Sequence, residues 1–343
     1  MTTDTASIEV GRPGRAADLD LFKTLLVWGM IAAHCIQLLA FRPKLPAVVV
    51  SEVVNLITFS GFMFAFGLGI GLSRGQPKSW WARLKPALLL LVATWVSELA
   101  FMLLVERANL TPDLLWNILS LSRLYGWSEF LASFFTLYLI IALARPLLVA
   151  IGSAWYFLVP TALLCLASTQ LVVSADLPLL ATLLGTTNFA SFPLLPYLPW
   201  FLIGIYCGRH PERPLAVDWV LAVAATGLCT LYLVYYDFTW PGRFPPTALW
   251  IIGPALLLLV YLSLSRLTAR HIAIPPILLG AGRHVLAALL VSNLVIFGLR
   301  YWFGFRLGQW WWTPVLAIGL IVLVTVWAAL LDALAARRRA RVS

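Results

Sequence analysis

Residues 20–37 read Asp20-Leu-Phe-Lys23-Thr-Leu-Leu-Val-Trp-Gly-Met30-Ile-Ala-Ala-His34-Cys-Ile-Gln37. The run is long and apolar enough for a membrane-crossing helix, yet it carries a lysine and a histidine with ten residues between them. On a helix an eleven-residue step turns about 1100°, some 20° past three full turns, so both side chains share one stripe about 16 Å apart along the axis. Asp20, Met30 and Gln37 fall in the same sector, about 100° wide. Polar groups inside a bilayer are costly, so this face is expected to look into protein or a wet cavity rather than into lipid.

The rest of the chain repeats the apolar pattern. Of its 343 residues 62% are hydrophobic and 11% charged, and the mean hydropathy of +0.92 excludes an ordinary soluble domain. Apolar runs of bilayer-crossing length predict ten spans, near 19–41, 47–73, 84–105, 129–145, 149–174, 193–208, 215–236, 245–265, 274–299 and 311–335. The fold class is therefore an all-α, polytopic integral membrane helical bundle. A polar tail over 1–18 precedes a single membrane domain over 19–336, and a basic tail over 337–343 follows it.

Placing both termini in the cytoplasm puts fifteen Lys and Arg residues on that side and seven on the other. The positive-inside rule supports that orientation. The net charge of +10 is then a matter of topology and calls for no nucleic acid. No signal-peptide cleavage pattern follows the N-terminal tail. Cys35, Cys165, Cys207 and Cys229 lie scattered in apolar segments with no paired spacing, so neither a metal site nor a disulfide framework is expected.

Residues 106–128 are expected to form an outer loop with a short interfacial helix. Residues 175–196 and 237–247 form further outer connections, and 300–314, with Trp310, Trp311 and Trp312, an interfacial aromatic one. Glu52, Asn55 and Glu98 fall in the outer halves of their spans, at the depth of His34, which predicts an outer polar pocket. Asn293 is a further intramembrane polar residue. His284, nine positions before it, falls on the opposite helix face. The loop over 73–86 carries Arg74, Lys78, Arg83 and Lys85, a basic patch that serves topology or steers an anionic ligand. Lys23 has the same two readings, since a lysine near the surface can extend to lipid headgroups.

The stretch LDLFKTLLVWGMIAAH, residues 19–34, resembles the start of the acyltransferase-3 family of multi-pass membrane acyltransferases. That family carries a basic residue, ten intervening residues and a histidine on its first helix. Further likeness lies in Ser60-Gly61-Phe62, in Arg83-Leu84-Lys85-Pro86, in residues 192–209 and in LLGAGRHVLAALLVSN at 278–293. Two positions depart from the pattern. Lys23 stands where arginine is usual, and Ser292-Asn293 where many members have histidine.

The resemblance implies a membrane-bound O-acyltransferase of a bacterial inner membrane. Its donor would be cytoplasmic acyl-CoA, acetyl-CoA above all, and its acceptor a hydroxyl of an extracytoplasmic glycan or glycolipid. Lys23, Arg83 and Lys85 would steer the donor's phosphates. His34 would accept the acyl group or act as general base, supported by Glu52 and Glu98. No metal is implied. A transporter or lipid flippase could use the same polar stripe as a substrate path, although no inverted repeat is visible in the sequence.

Overall fold

The computed structural model describes residues 14–73, 79–171, 173–174, 177–187, 190–304 and 312–340. Arg74, Lys78, Trp310 and Trp311 lie outside them. The described residues form helices in chain order: α1 (Gly14–Leu39), α2 (Leu45–Leu72), α3 (Trp80–Leu104), α4 (Pro112–Leu119), α5 (Ser128–Ser153), α6 (Trp155–Ala167), α7 (Pro178–Leu184), α8 (Leu194–Arg209), α9 (Ala216–Tyr235), α10 (Ala248–Ile252), α11 (Ala255–His271), α12 (Pro276–Arg283), α13 (Val285–Phe303) and α14 (Trp312–Ala340). The protein is a multi-pass, all-helical membrane bundle.

Helix starts follow from local chemistry. Ser79 Oγ accepts from the backbone N–H of Ala82, Thr111 Oγ1 from Leu114 and Thr247 Oγ1 from Trp250, each satisfying an end amide that no helical carbonyl can reach. The expected interfacial helix of the 106–128 loop is α4.

Among the described residues eight stretches are long and apolar enough to cross a membrane, against ten expected. At the fifth and sixth positions stand α6, with 13 residues, and α8, with 16. At 1.5 Å per residue α8 reaches only about 24 Å, short of a hydrocarbon core of about 30 Å. The fourth span, expected over 129–145, also runs on: Pro146 and the non-helical Ala144 kink α5, which continues to Ser153. The ninth span divides at His284 into α12 and α13, whose ends carry different polar partners.

Lining of the bundle separates two kinds of helix. α1 is central and packs on α2, α11, α12, α13 and α14, while α2 packs most extensively on α8. Phe22, Leu26, Val27 and Ile31 of α1 are fully buried with Phe59, Met63 and Phe201. By contrast α9 and α14 present Val220, Leu221, Leu231, Ile318 and Val322 outward, as lipid-facing helices do.

Backbone proximity holds this centre together. A Cβ on Gly67 of α2 would overlap the carbonyl oxygen of Phe201 on α8, and one on Gly282 of α12 would overlap the carbonyl oxygen of Asp20 on α1. The Gly282 N–H in turn donates to Thr24 Oγ1 at 2.9 Å. That contact, with the one between His34 and Asn293 below, makes α13 run parallel to α1. The bundle end where α1 starts is called the near end here, and the other the far end.

Candidate active site

His34 lies on the α1 stripe, one helical turn beyond Met30, and is buried. Its Nδ1 donates to Asn293 Oδ1 on α13 at 2.9 Å. A carbonyl oxygen can only accept, so the ring proton sits on Nδ1 and the lone pair on Nε2. The ring stacks on the Trp127 indole, with centroids 3.6 Å apart and planes 14° from parallel. Trp127 is the N-cap residue of α5 and leans on Phe297 of α13 at 5.7 Å. One partner in the plane of the imidazole and one against its face leave the ring little freedom to turn. This is the arrangement an orienter and a general base require.

The imidazole lines a narrow pocket that is partly open at its mouth. Met30, Asn55, Glu129, Arg243 and Asn293 share its wall with the aromatic rings of Phe59, Trp127, Phe130 and Phe192. Asn55 is held from α1: Gln37 Nε2 donates to Asn55 Oδ1 at 3.1 Å and to Ser51 Oγ at 3.0 Å. The stripe seen in the sequence thus delivers Met30 and His34 to the wall, and Gln37, itself exposed, to the side chain of Asn55.

Arg243 enters from the far-end connection between α9 and α10. That loop closes on itself, with the Thr247 N–H donating to Gly242 O and a backbone bridge pairing Arg243 with Pro246. The guanidinium lies over the Phe244 ring at 4.7 Å and the Phe192 ring at 5.3 Å. Its Nε is buried without a hydrogen-bond partner, and among the described residues no carboxylate comes within ion-pair distance. Burial pulls its pKa below the ordinary value while Tyr197, Glu129 and Glu52 pull the other way. An arginine remains a cation under either influence.

The other expected site residues are distributed differently. Glu98 is fully buried and accepts from Ser128 Oγ at 2.7 Å, tying α3 to α5 without lining the cavity. Glu52 is half-buried and near enough for Arg243 to feel its charge, but it is not part of the wall. Lys23 pairs with Asp20 at 2.8 Å, as the i, i+3 spacing requires. Asp20 also meets Arg283 at 3.4 Å, and Asp332 of α14 takes Arg283 and His284 at 2.8 Å each. Two cations facing two carboxylates make this near-end cluster close to neutral. Arg83 and Lys85 stand in the first two turns of α3, which packs on α5 and α13.

In the sequence Glu129 stands at the edge of the 106–128 loop, Arg243 is one of the seven outer basic residues, and nothing singles out Trp127. Only the meeting of three distant segments reveals them.

A family model described as heparan-alpha-glucosaminide N-acetyltransferase, catalytic, matches residues 15–231, well over half of the chain. The chain belongs to this family. It is a membrane N-acetyltransferase family, related to acyltransferase-3-like proteins, whose donor is acetyl-CoA. The resemblance carried by Lys23 and His34 thus led to a related family, and the protein is an acetyltransferase rather than a transporter. No significant match is found among curated proteins or solved structures. The match covers His34, Trp127 and Glu129, whereas Arg243 and Asn293 come from beyond it.

The bond to Asn293 carries a testable consequence. Asn293→Leu removes the acceptor that holds the His34 proton on Nδ1. At about 1–2 kcal/mol for a buried hydrogen bond, transfer should slow roughly tenfold or more. Acetyl-CoA turnover by purified protein measures it, and an unchanged rate would mean the amide does not orient the ring.

Proposed function

We propose that the protein moves an acetyl group from acetyl-CoA, supplied at the cytoplasmic near end, to a hydroxyl of a glycan or glycolipid reaching the cavity from the far end. The observation that carries this reading is an oriented imidazole, with its Nε2 lone pair free, on the wall of a cavity at the far end of α1. The acceptor oxygen attacks the thioester carbonyl carbon while His34 Nε2 takes its proton. The tetrahedral intermediate then collapses, the C–S bond breaks, and the proton passes from His34 to the departing thiolate. The acetyl ester and free CoA are the products.

Lys23 stands on the same stripe about three helical turns earlier, about 16 Å from His34 along the axis, a span that a pantetheine arm can bridge. In the resting protein Asp20 holds it, so donor binding would exchange that carboxylate for a phosphate. Lys23→Ala should raise the KM for acetyl-CoA several-fold and leave kcat close to wild type. Loss of one partly exposed ion pair should cost below about 1 kcal/mol of stability. A KM that did not move would return Lys23 to a role at the lipid headgroups.

The family description favours a second reading, in which the acceptor is the amino group of glucosamine. The same base serves both. Inside-out bacterial membrane vesicles given acetyl-labelled acetyl-CoA decide between them, because mild alkali releases label from an ester and leaves an amide intact. Label that is alkali-labile on extracted glycan supports the hydroxyl. Alkali-stable label supports the amine. No transfer from the cytoplasmic face by the wild-type protein would overturn both.

A further inference from the structure

We infer that Arg243 is a catalytic residue of this pocket, its guanidinium donating hydrogen bonds to the carbonyl oxygen of the acetyl thioester as that oxygen becomes an oxyanion. This rests on the acetyl-transfer reading above and adds to it the group that stabilises the intermediate.

Acetyl transfer builds negative charge on one oxygen, and many acyl-transfer sites meet that charge with free backbone N–H groups. Where the wall is built from the middles of α1, α2 and α13 it cannot supply them, since each such amide already donates to the carbonyl four residues back; only the first turn of α5, at Glu129 and Phe130, brings helix-end amides to the wall. Over the rest of the wall side chains must do it instead. Around the cavity the neutral donors are few: Asn293 and Asn55 retain their NH2 groups, while their carbonyl oxygens accept from His34 and Gln37. Thr58 spends its hydroxyl on the Val54 carbonyl. Arg243 is the cation of the wall.

Among the described residues its Nε donor is also unspent. Nε is buried without a partner, and the nearest carboxylates, Glu129 and Glu52, influence it only through space. Arg243 is half-buried, but its Nε is sealed from solvent; leaving that N–H unpaired is costly, and the cost is recovered if an anion forms beside it during the reaction. The packing fits this use. Phe192 and Phe244 lie against the guanidinium, and the self-closed 242–247 turn fixes the backbone beneath it. A donor held in place beforehand, in surroundings of low polarity, need not reorganise when charge appears. Proton and charge then balance across the site. His34 takes the acceptor's proton, Arg243 faces the oxyanion, and both revert when CoA leaves as the thiol.

The alternative use of such a cation is to hold a fixed anion on the acceptor, and a small neutral acceptor separates the two. Purified protein in nanodiscs is given acetyl-CoA and hydroxylamine, with CoA thiol release and acetohydroxamate as readouts. Arg243→Gln should lower kcat about 10²–10³-fold, as loss of one oxyanion donor does elsewhere, with the KM for acetyl-CoA little changed. Arg243→Lys should recover part of the rate, and added guanidinium should restore part of the activity of Arg243→Ala. Wild-type kcat in Arg243→Gln would overturn the proposal, and so would a loss not mended by lysine or guanidinium. With wild type active, His34→Gln inactive and Arg243→Gln normal, the inference fails and the transferase reading stands. With wild type itself inactive towards hydroxylamine, both fall.

Discussion

His34→Gln should lower acetyl transfer by about three orders of magnitude while leaving the protein folded in the membrane, within the range expected for loss of a positioned acid–base group. Glutamine keeps a planar polar group for Trp127 to cover and for Asn293 to meet, so the packing of α1 against α5 and α13 survives. What it lacks is a nitrogen lone pair able to take a proton. The measurement is acetyl-CoA turnover by purified protein, paired with thermal unfolding in the same detergent. A folded variant with wild-type turnover would remove His34 from the chemistry. A variant that failed to fold would be replaced by His34→Asn, which is smaller and equally unable to act as a base. The KM for acetyl-CoA should change little, because the donor's phosphates lie at the other end of the stripe in the proposed pose.

Gly67→Val should cause the largest loss of stability of any single change in the α2–α8 interface. The added side chain starts at a Cβ that already overlaps the Phe201 carbonyl oxygen. That atom belongs to a helix backbone and cannot swing aside as a flexible side chain would. Overpacking of a tight core costs about 1–3 kcal/mol, and backbone on both sides puts this change at about 3 kcal/mol. Gly204 on α8 faces the Phe64 carbonyl in the same way, so the two helices approach through paired glycines. Gly227→Ala on lipid-facing α9 is the matched control. Nothing lies within 4 Å of its added methyl, and alanine suits a helix better than glycine by about 1 kcal/mol. Thermal unfolding should therefore drop by several degrees for Gly67→Val and hold or rise for Gly227→Ala. Equal behaviour of the two would show that the α2–α8 crossing is not tight in the bilayer.

Membrane architecture was legible because a bilayer imposes one rule on every segment. Each span must be apolar and must satisfy its own backbone, so length and hydropathy alone locate it. The long spans of α1, α2, α3, α9 and α14 follow that rule and lie close to where hydropathy puts them. α6 and α8 break it, being apolar yet short, because α8 is clasped by α2, α5 and α6 and does not face lipid along its whole length. Hydropathy reports apolar surroundings and does not distinguish lipid from protein.

Within the site the division is sharper. The α1 stripe, with Lys23 paired to Asp20 and with Met30 and His34 facing inward, follows from helical geometry and is readable from residues 20–37 alone. Which groups meet that stripe was decided only by the tertiary structure. Asn293 lies 259 positions from His34, Trp127 and Arg243 belong to separate connections, and no periodicity relates them. Glu98 shows the same limit from the other side. Its depth matched that of His34, but the direction in which α3 turns its face sends it to Ser128 and away from the cavity. Depth in a membrane is one coordinate and can be read from order along the chain. Rotation about each helix axis and the choice of neighbour are the others, and they are set by side-chain packing and close backbone contacts such as Gly67 on Phe201 and Gly282 on Asp20.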